Sequence, residues 1–116
     1  NGFGSRPVLK NSKVHGVRLK AHLGYYKVQI EAYKKLVATL CREYNIPIQT
    51  PMTDENVADV GVVPEAASGK YEGIVCHYHL TRNKIDCAGL DLKSIVSQLR
   101  WLPLAYVILP YQPMQI

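Results

Sequence analysis

A small mixed α/β domain, with a central sheet flanked by helices, is what this sequence predicts, on three features. An amphipathic helical repeat runs from about Lys27 to Tyr44. An apolar run, Gly73-Ile74-Val75-Cys76, reads as a buried strand. A second, shorter helical repeat runs from Leu92 to about Trp101. At 116 residues the chain is one domain at most. Its 47% hydrophobic content is ordinary for a globular chain.

Residues 1–24 carry Gly2, Gly4, Pro7, Gly16 and Gly24, so they read as an irregular lead-in with one short strand around Val14 to Leu19. The long helix is the clearest element. Ile30, Tyr33, Leu36, Val37, Leu40, Cys41 and Tyr44 recur at helical spacing on one face. Gln29, Glu31, Lys34, Lys35, Thr39, Arg42 and Glu43 take the other faces. Asn45 suits a left-handed C-cap, and Pro47 forbids continuation. Ile46-Pro47-Ile48 is expected to be extended. Residues 49–72 form a long polar connection in which Thr53 or Asp54 can cap a brief helical turn. Gly73 to Leu80 is the expected strand, and Thr81 to Gly89 the turn after it. Asp91 then caps the second helix, whose apolar face is Leu92, Ile95, Val96 and Leu99. Pro103, Pro110 and Pro113 break the tail, residues 102–116, into extended pieces.

Composition excludes some functions. No apolar run approaches the roughly 20 residues needed to cross a bilayer as a helix. The formal net charge is +5, and Arg6, Lys10, Lys13, Arg18 and Lys20 all precede the first acidic residue. Such a segment suits an anionic partner or simply a solubilising face. No aromatic-basic repeat or zinc-finger spacing supports nucleic acid. Three cysteines cannot all pair within one chain, although one bridge is possible. Cys41 falls on the helix stripe and Cys76 in the apolar run, whereas Cys87 stands beside other ligand types.

The chemistry concentrates between Cys76 and Gly89. Imidazole, carboxylate and thiolate are the usual protein ligands of zinc. His77 ends the apolar run, and the following turn can return Asp86 or Cys87 to within ~2.0–2.3 Å of a shared zinc ion. A histidine ending a buried strand also serves as a general base or as a satisfied core residue. His79 shares strand parity with His77, so it points to the same side, serves as a hydrogen-bond partner, or is an ordinary surface histidine. Lys84 is a turn lysine or a cation placed to hold an oxyanion. Gly89 suits a positive φ.

The order of these motifs resembles the zinc-dependent N-acetylmuramoyl-L-alanine amidases, a family that includes phage lysozyme-type amidases and is related to peptidoglycan recognition proteins. The family has a long helix opening near a Tyr-x-x-x-Gln-like sequence, then an Ile-Pro element. A strand ending in Gly-x-x-x-His follows, then Lys-x-Asp-Pro-Gly or a cysteine variant. This chain offers Tyr25-Tyr26-Lys27-Val28-Gln29, Tyr44-Asn45-Ile46-Pro47, Gly73-Ile74-Val75-Cys76-His77 and Lys84-Ile85-Asp86-Cys87-Ala88-Gly89. The match spans residues 25–92. The resemblance implies that His77 is the second zinc ligand and Asp86 the third, with Cys87 the alternative. Lys84 would stand near the reacting carbonyl. Tyr78, with His79 beside it, and the connection 49–72 would line the substrate groove. The implied reaction is hydrolysis, at the cell wall, of the amide between N-acetylmuramic acid and the L-alanine of the stem peptide.

The front of the chain departs from the family. The first zinc histidine of the amidases lies on a strand well before the long helix, together with a catalytic glutamate or tyrosine. His15 and His22, the only early histidines, follow no convincing apolar strand. The expectation is an amidase-like domain lacking its N-terminal part, or alternatively a degenerate homologue that binds peptidoglycan without cutting it. An unrelated small basic interaction protein, with His77 and Asp86 structural, is the remaining rival.

Overall fold

The computed structural model describes residues 2–101. The expected proline-broken tail, 102–116, lies outside the described residues. The lead-in is more ordered than its glycines suggest. Four two-residue strands, β1 (Val8–Leu9), β2 (Lys13–Val14), β3 (Val17–Arg18) and β4 (His22–Leu23), form two nested antiparallel ribbons. The outer ribbon pairs Val8 with Leu23 and Leu9 with His22; the inner pairs Lys13 with Arg18 and Val14 with Val17. His15 and Gly16 make the inner turn with φ of 54° and 76°. Two positive φ values in a two-residue loop match the twist of the flanking strands. One face of the inner ribbon is anchored, since Val14 is buried.

The long helix α1 spans Lys27–Glu43. The Gln29 side chain accepts a hydrogen bond from the Tyr26 N–H at 2.9 Å, satisfying a donor at the helix start. Asn45 takes the expected left-handed conformation, φ 56°, and Ile46 N–H bonds back to the Cys41 carbonyl at 2.9 Å. The predicted apolar stripe is only partly used. Val37, Ala38 and Cys41 are buried, and Tyr33 packs against the core, but Leu36, Leu40 and Tyr44 are exposed. The buried seam is thus narrower than the hydrophobic pattern, because among the described residues the main partner of α1 is one short helix, α3 (Leu92–Leu99).

Asp91 caps α3 as expected, its carboxylate accepting from Ser94 N–H at 3.0 Å. Leu92, Ile95, Val96 and Leu99 are all buried. They join Val14, Val37, Ala38, Cys41, Ile74, Cys76 and Tyr78 in one core. Burial of each such large apolar side chain contributes about 1.5–3 kcal/mol relative to exposure. Arg100 Nε donates to the Ile48 carbonyl at 3.0 Å, tying the end of α3 to the segment after α1.

Three local expectations are corrected. The helical turn in the 49–72 connection is not at Thr53 or Asp54. That region is a tight turn closed by the Met52–Ala58 bridge and by Thr53 N–H to the Val57 carbonyl at 2.8 Å. The helical turn is α2 (Pro64–Ala67), where Pro64 supplies a preset φ. Gly73 to Leu80 is not a strand. Ile74 N–H reaches the Gln49 carbonyl at 2.8 Å, and the chain then winds into a 3-10 turn, His77–His79. The His79 ring captures the Cys76 N–H at 2.9 Å, and this local bond displaces ladder pairing. There is accordingly no central sheet among the described residues, only the two ribbons. The mixed helix-and-strand class holds at that coarse level.

Candidate functional site

The 3-10 turn and the loop behind it meet at two points. Tyr78 N–H donates to the Asp86 carbonyl at 3.1 Å. One residue back, His77 Nδ1 lies 3.3 Å from Asp86 Oδ2. Both side chains are substantially open to solvent. Two residues nine apart, singled out as ligands of one ion, therefore face each other on the surface. Two donors bound at about 2.05 Å to a tetrahedral zinc stand roughly 3.3 Å apart. The His77–Asp86 separation fits that spacing; it also serves an ordinary imidazole–carboxylate hydrogen bond.

Cys87, the alternative ligand, is arranged differently. Its side chain is half-buried and packs against the core. Burial, then the neighbouring Cys76, pushes the Cys87 thiol above its usual range. Between the two candidate ligands, the geometry brings Asp86 to His77. Lys84 is exposed in the same loop. Its backbone is held from the other side, where His15 Nε2–H donates to the Lys84 carbonyl at 3.0 Å.

Strand parity does not carry His79 to the side of His77. A 3-10 turn separates residues two apart, and His77 is exposed while His79 is only 1% exposed. Both ring nitrogens of His79 are used. Nδ1 accepts from Cys76 N–H at 2.9 Å, and Nε2–H donates to the Asp59 carbonyl at 2.7 Å. The His79 carbonyl accepts from Val63 N–H at 2.9 Å. His79 therefore staples the 49–72 connection to the 3-10 turn and has no free nitrogen for a ligand. It is neither a groove residue nor a surface histidine. Burial holds its pKa below the ordinary histidine value, against the opposing pull of the Asp59 carbonyl. Tyr78, expected in the substrate groove, is likewise buried, at 3% exposure, with its ring edge-on to His79 at 4.4 Å. Burial, then Cys76, raises its phenol.

Neither early histidine approaches the pair as a further ligand. His15 is engaged with Lys84, and His22 Nε2 pairs with Ser12 Oγ at 2.9 Å. Among the described residues, no three His, Cys, Asp or Glu side chains are grouped so as to hold a metal ion. The pair thus has the donor chemistry of zinc but is short of the three protein ligands of a catalytic centre.

An apolar cavity of about 410 Å³ lies along α1, lined by Tyr25, Ile30, Tyr33, Leu36, Cys87 and Leu90. Tyr25 OH donates to the Ala88 carbonyl at 2.8 Å, holding the loop after Asp86 against the start of α1. Burial, followed by Cys76 and Cys87, raises the Tyr33 phenol to about 12. Sequence reasoning missed the structural duty of His79. No protein-family model, curated protein or solved structure matches the chain. No helix among the described residues is long and apolar enough to cross a membrane.

Proposed function

We propose that this chain contributes to a zinc-dependent N-acetylmuramoyl-L-alanine amidase, a peptidoglycan hydrolase acting at the cell wall. The observation that carries the reading is the 3.3 Å approach of His77 to Asp86 on an open surface. Its other support is the amidase-like order of motifs from Tyr25 to Gly89. In this reading His77 and Asp86 hold two positions on zinc, and a third protein donor must come from outside the described residues. When bound, zinc activates water and polarises the scissile carbonyl. The Lys84 ammonium, exposed two residues before Asp86, holds negative charge developing on the substrate carbonyl oxygen. The cavity along α1 offers apolar walls to the stem peptide. The finer fold that goes with this reading is the amidase-like one, in which the described residues are the C-terminal part of the domain.

The test joins metal binding to bond cleavage. Zinc is titrated into the isotopically labelled chain while the His77 ring and Asp86 carboxylate resonances are followed. Purified peptidoglycan is then assayed for newly exposed N-terminal alanine. Zinc-dependent shifts at both residues with new alanine amines are the expected result. Zinc that leaves both resonances in place defeats the reading. Zinc binding and wall binding without new amines shift the assignment to a non-catalytic peptidoglycan-binding module.

A further inference from the structure

A cavity of about 550 Å³ lies between the ribbons and the loop before α3, and neither His77 nor Asp86 lines it. Its size is that of a small-ligand site. One side is apolar: Val14 belongs to the core, and Val60 and Leu90 pack against it. The other side is the loop that joins the outer ribbon to the inner, where Lys10, Asn11 and Lys13 are exposed. That loop is held in place from β3. Arg18 Nε and Nη2 donate to the Lys10 carbonyl at 3.3 and 3.2 Å, and Nη2 donates to Asn11 Oδ1 at 2.8 Å. Leu19 N–H donates to the Ser12 carbonyl at 2.9 Å. Asn11 is thus engaged through its oxygen, which leaves the Nδ2 amide to donate. Among the described residues, neither Lys10 nor Lys13 has an ion-pair partner, and no Asp or Glu lines the cavity. A cavity of about 530 Å³ beside the inner turn differs in this respect, since Glu55 and Asp59 line it together with Arg82. Lys13 also stands directly opposite Arg18 in the inner ribbon. Like charges paired across strands are destabilising, and an anion beside them offsets that cost.

We propose that this cavity binds a small phosphomonoester, its phosphate held by the Lys10 and Lys13 ammoniums and Asn11 Nδ2, its apolar body seated on Val14, Val60 and Leu90. The inference stands whether or not the chain is a hydrolase. Two ammoniums match a phosphomonoester, which carries a charge of about −2 at neutral pH. A carboxylate would leave one of them unmatched. Lysine acts on phosphate as a mobile point charge, so it follows a tetrahedral group without the planar fit that arginine imposes. Ion pairs to exposed lysines are individually weak and are screened by salt. The apolar wall therefore supplies the remaining affinity by taking the ligand's body out of water.

The intact chain, isotopically labelled, is titrated with phenyl phosphate at low and at raised salt, and in parallel with inorganic phosphate and with benzoate. The expected result is saturable resonance shifts at Lys10, Asn11 and Lys13 and at the methyls of Val14, Val60 and Leu90. Phenyl phosphate should bind more tightly than either comparison anion and be released by salt. The Lys10→Gln/Lys13→Gln double variant should bind it about tenfold more weakly. Lys70→Gln, at an exposed position that does not line the cavity, should bind it as the wild type does. Should the double variant fail to fold, Lys10→Gln alone replaces it, with a loss of about threefold expected. The absence of saturable shifts at these residues overturns the proposal. So does inorganic phosphate bound as tightly as phenyl phosphate, which would mean charge attraction alone, or benzoate bound as tightly, which would remove the need for a dianion. Unchanged affinity in a folded Lys10 or double variant, or an equal loss in Lys70→Gln, overturns it as well.

Discussion

His79 is the side chain whose removal should cost the fold most for its size, and the cost should depend on pH. The ring is 1% exposed and makes two short hydrogen bonds, one accepted from Cys76 N–H and one donated to the Asp59 carbonyl. In His79→Ala two backbone groups lose their partners, each at a desolvation cost of ~1–3 kcal/mol. Water entering the vacated space recovers part of this, leaving a net loss of about 3–4 kcal/mol against a total stability of ~5–15 kcal/mol for a domain. The pH dependence follows from the Cys76 bond. Nδ1 can accept only while the ring is neutral, and burial lowers the His79 pKa. The unfolded chain takes up its proton near the ordinary value of about 6.5, whereas folded His79 takes it up only at lower pH. Stability from this residue is therefore fully present above about pH 6.5. It falls as pH drops below that point by up to ~1.4 kcal/mol per pH unit, until folded His79 protonates. Urea unfolding from pH 5 to 8 of the wild type and of His79→Gln, which cannot titrate, measures this. The wild-type midpoint should decline more steeply toward acid. Parallel curves for the two proteins, or a His79→Ala loss under about 1 kcal/mol, would refute the assignment of His79 as a neutral buried staple.

Three further outcomes are expected. His77→Ala and Asp86→Ala should each change stability by less than about 1 kcal/mol, since the pair is solvent-exposed, and each should abolish zinc binding measured by calorimetry. Gly73→Ala should destabilise by roughly 2–3 kcal/mol in a urea melt. Gly73 has φ 154°, and an added Cβ would lie 2.6 Å from the Gln49 carbonyl oxygen, a backbone atom that cannot easily give way. Asp91→Ala should lower stability by about 1 kcal/mol through loss of the α3 cap, with Asp91→Asn retaining most of it.

What the sequence could say was local. Helical periodicity placed α1 and α3, Asn45 and Pro47 placed the end of α1, and Asp91 placed the start of α3, because caps and backbone preferences act within a turn of the residue concerned. The pairing of His77 with Asp86 was also within reach, since a short turn must return the chain close to where it left. Residues 73–80 were misread because a buried run of β-branched residues looks the same whether or not another strand is available. Only the arrival of Asp59 and the capture of Cys76 N–H by His79 decided for a 3-10 turn. That choice separated His77 from His79 and buried Tyr78. The exposed half of the α1 stripe belongs to the same lesson. Hydrophobic spacing shows which faces of a helix are able to be buried, while the number and shape of the neighbouring elements determine which faces are.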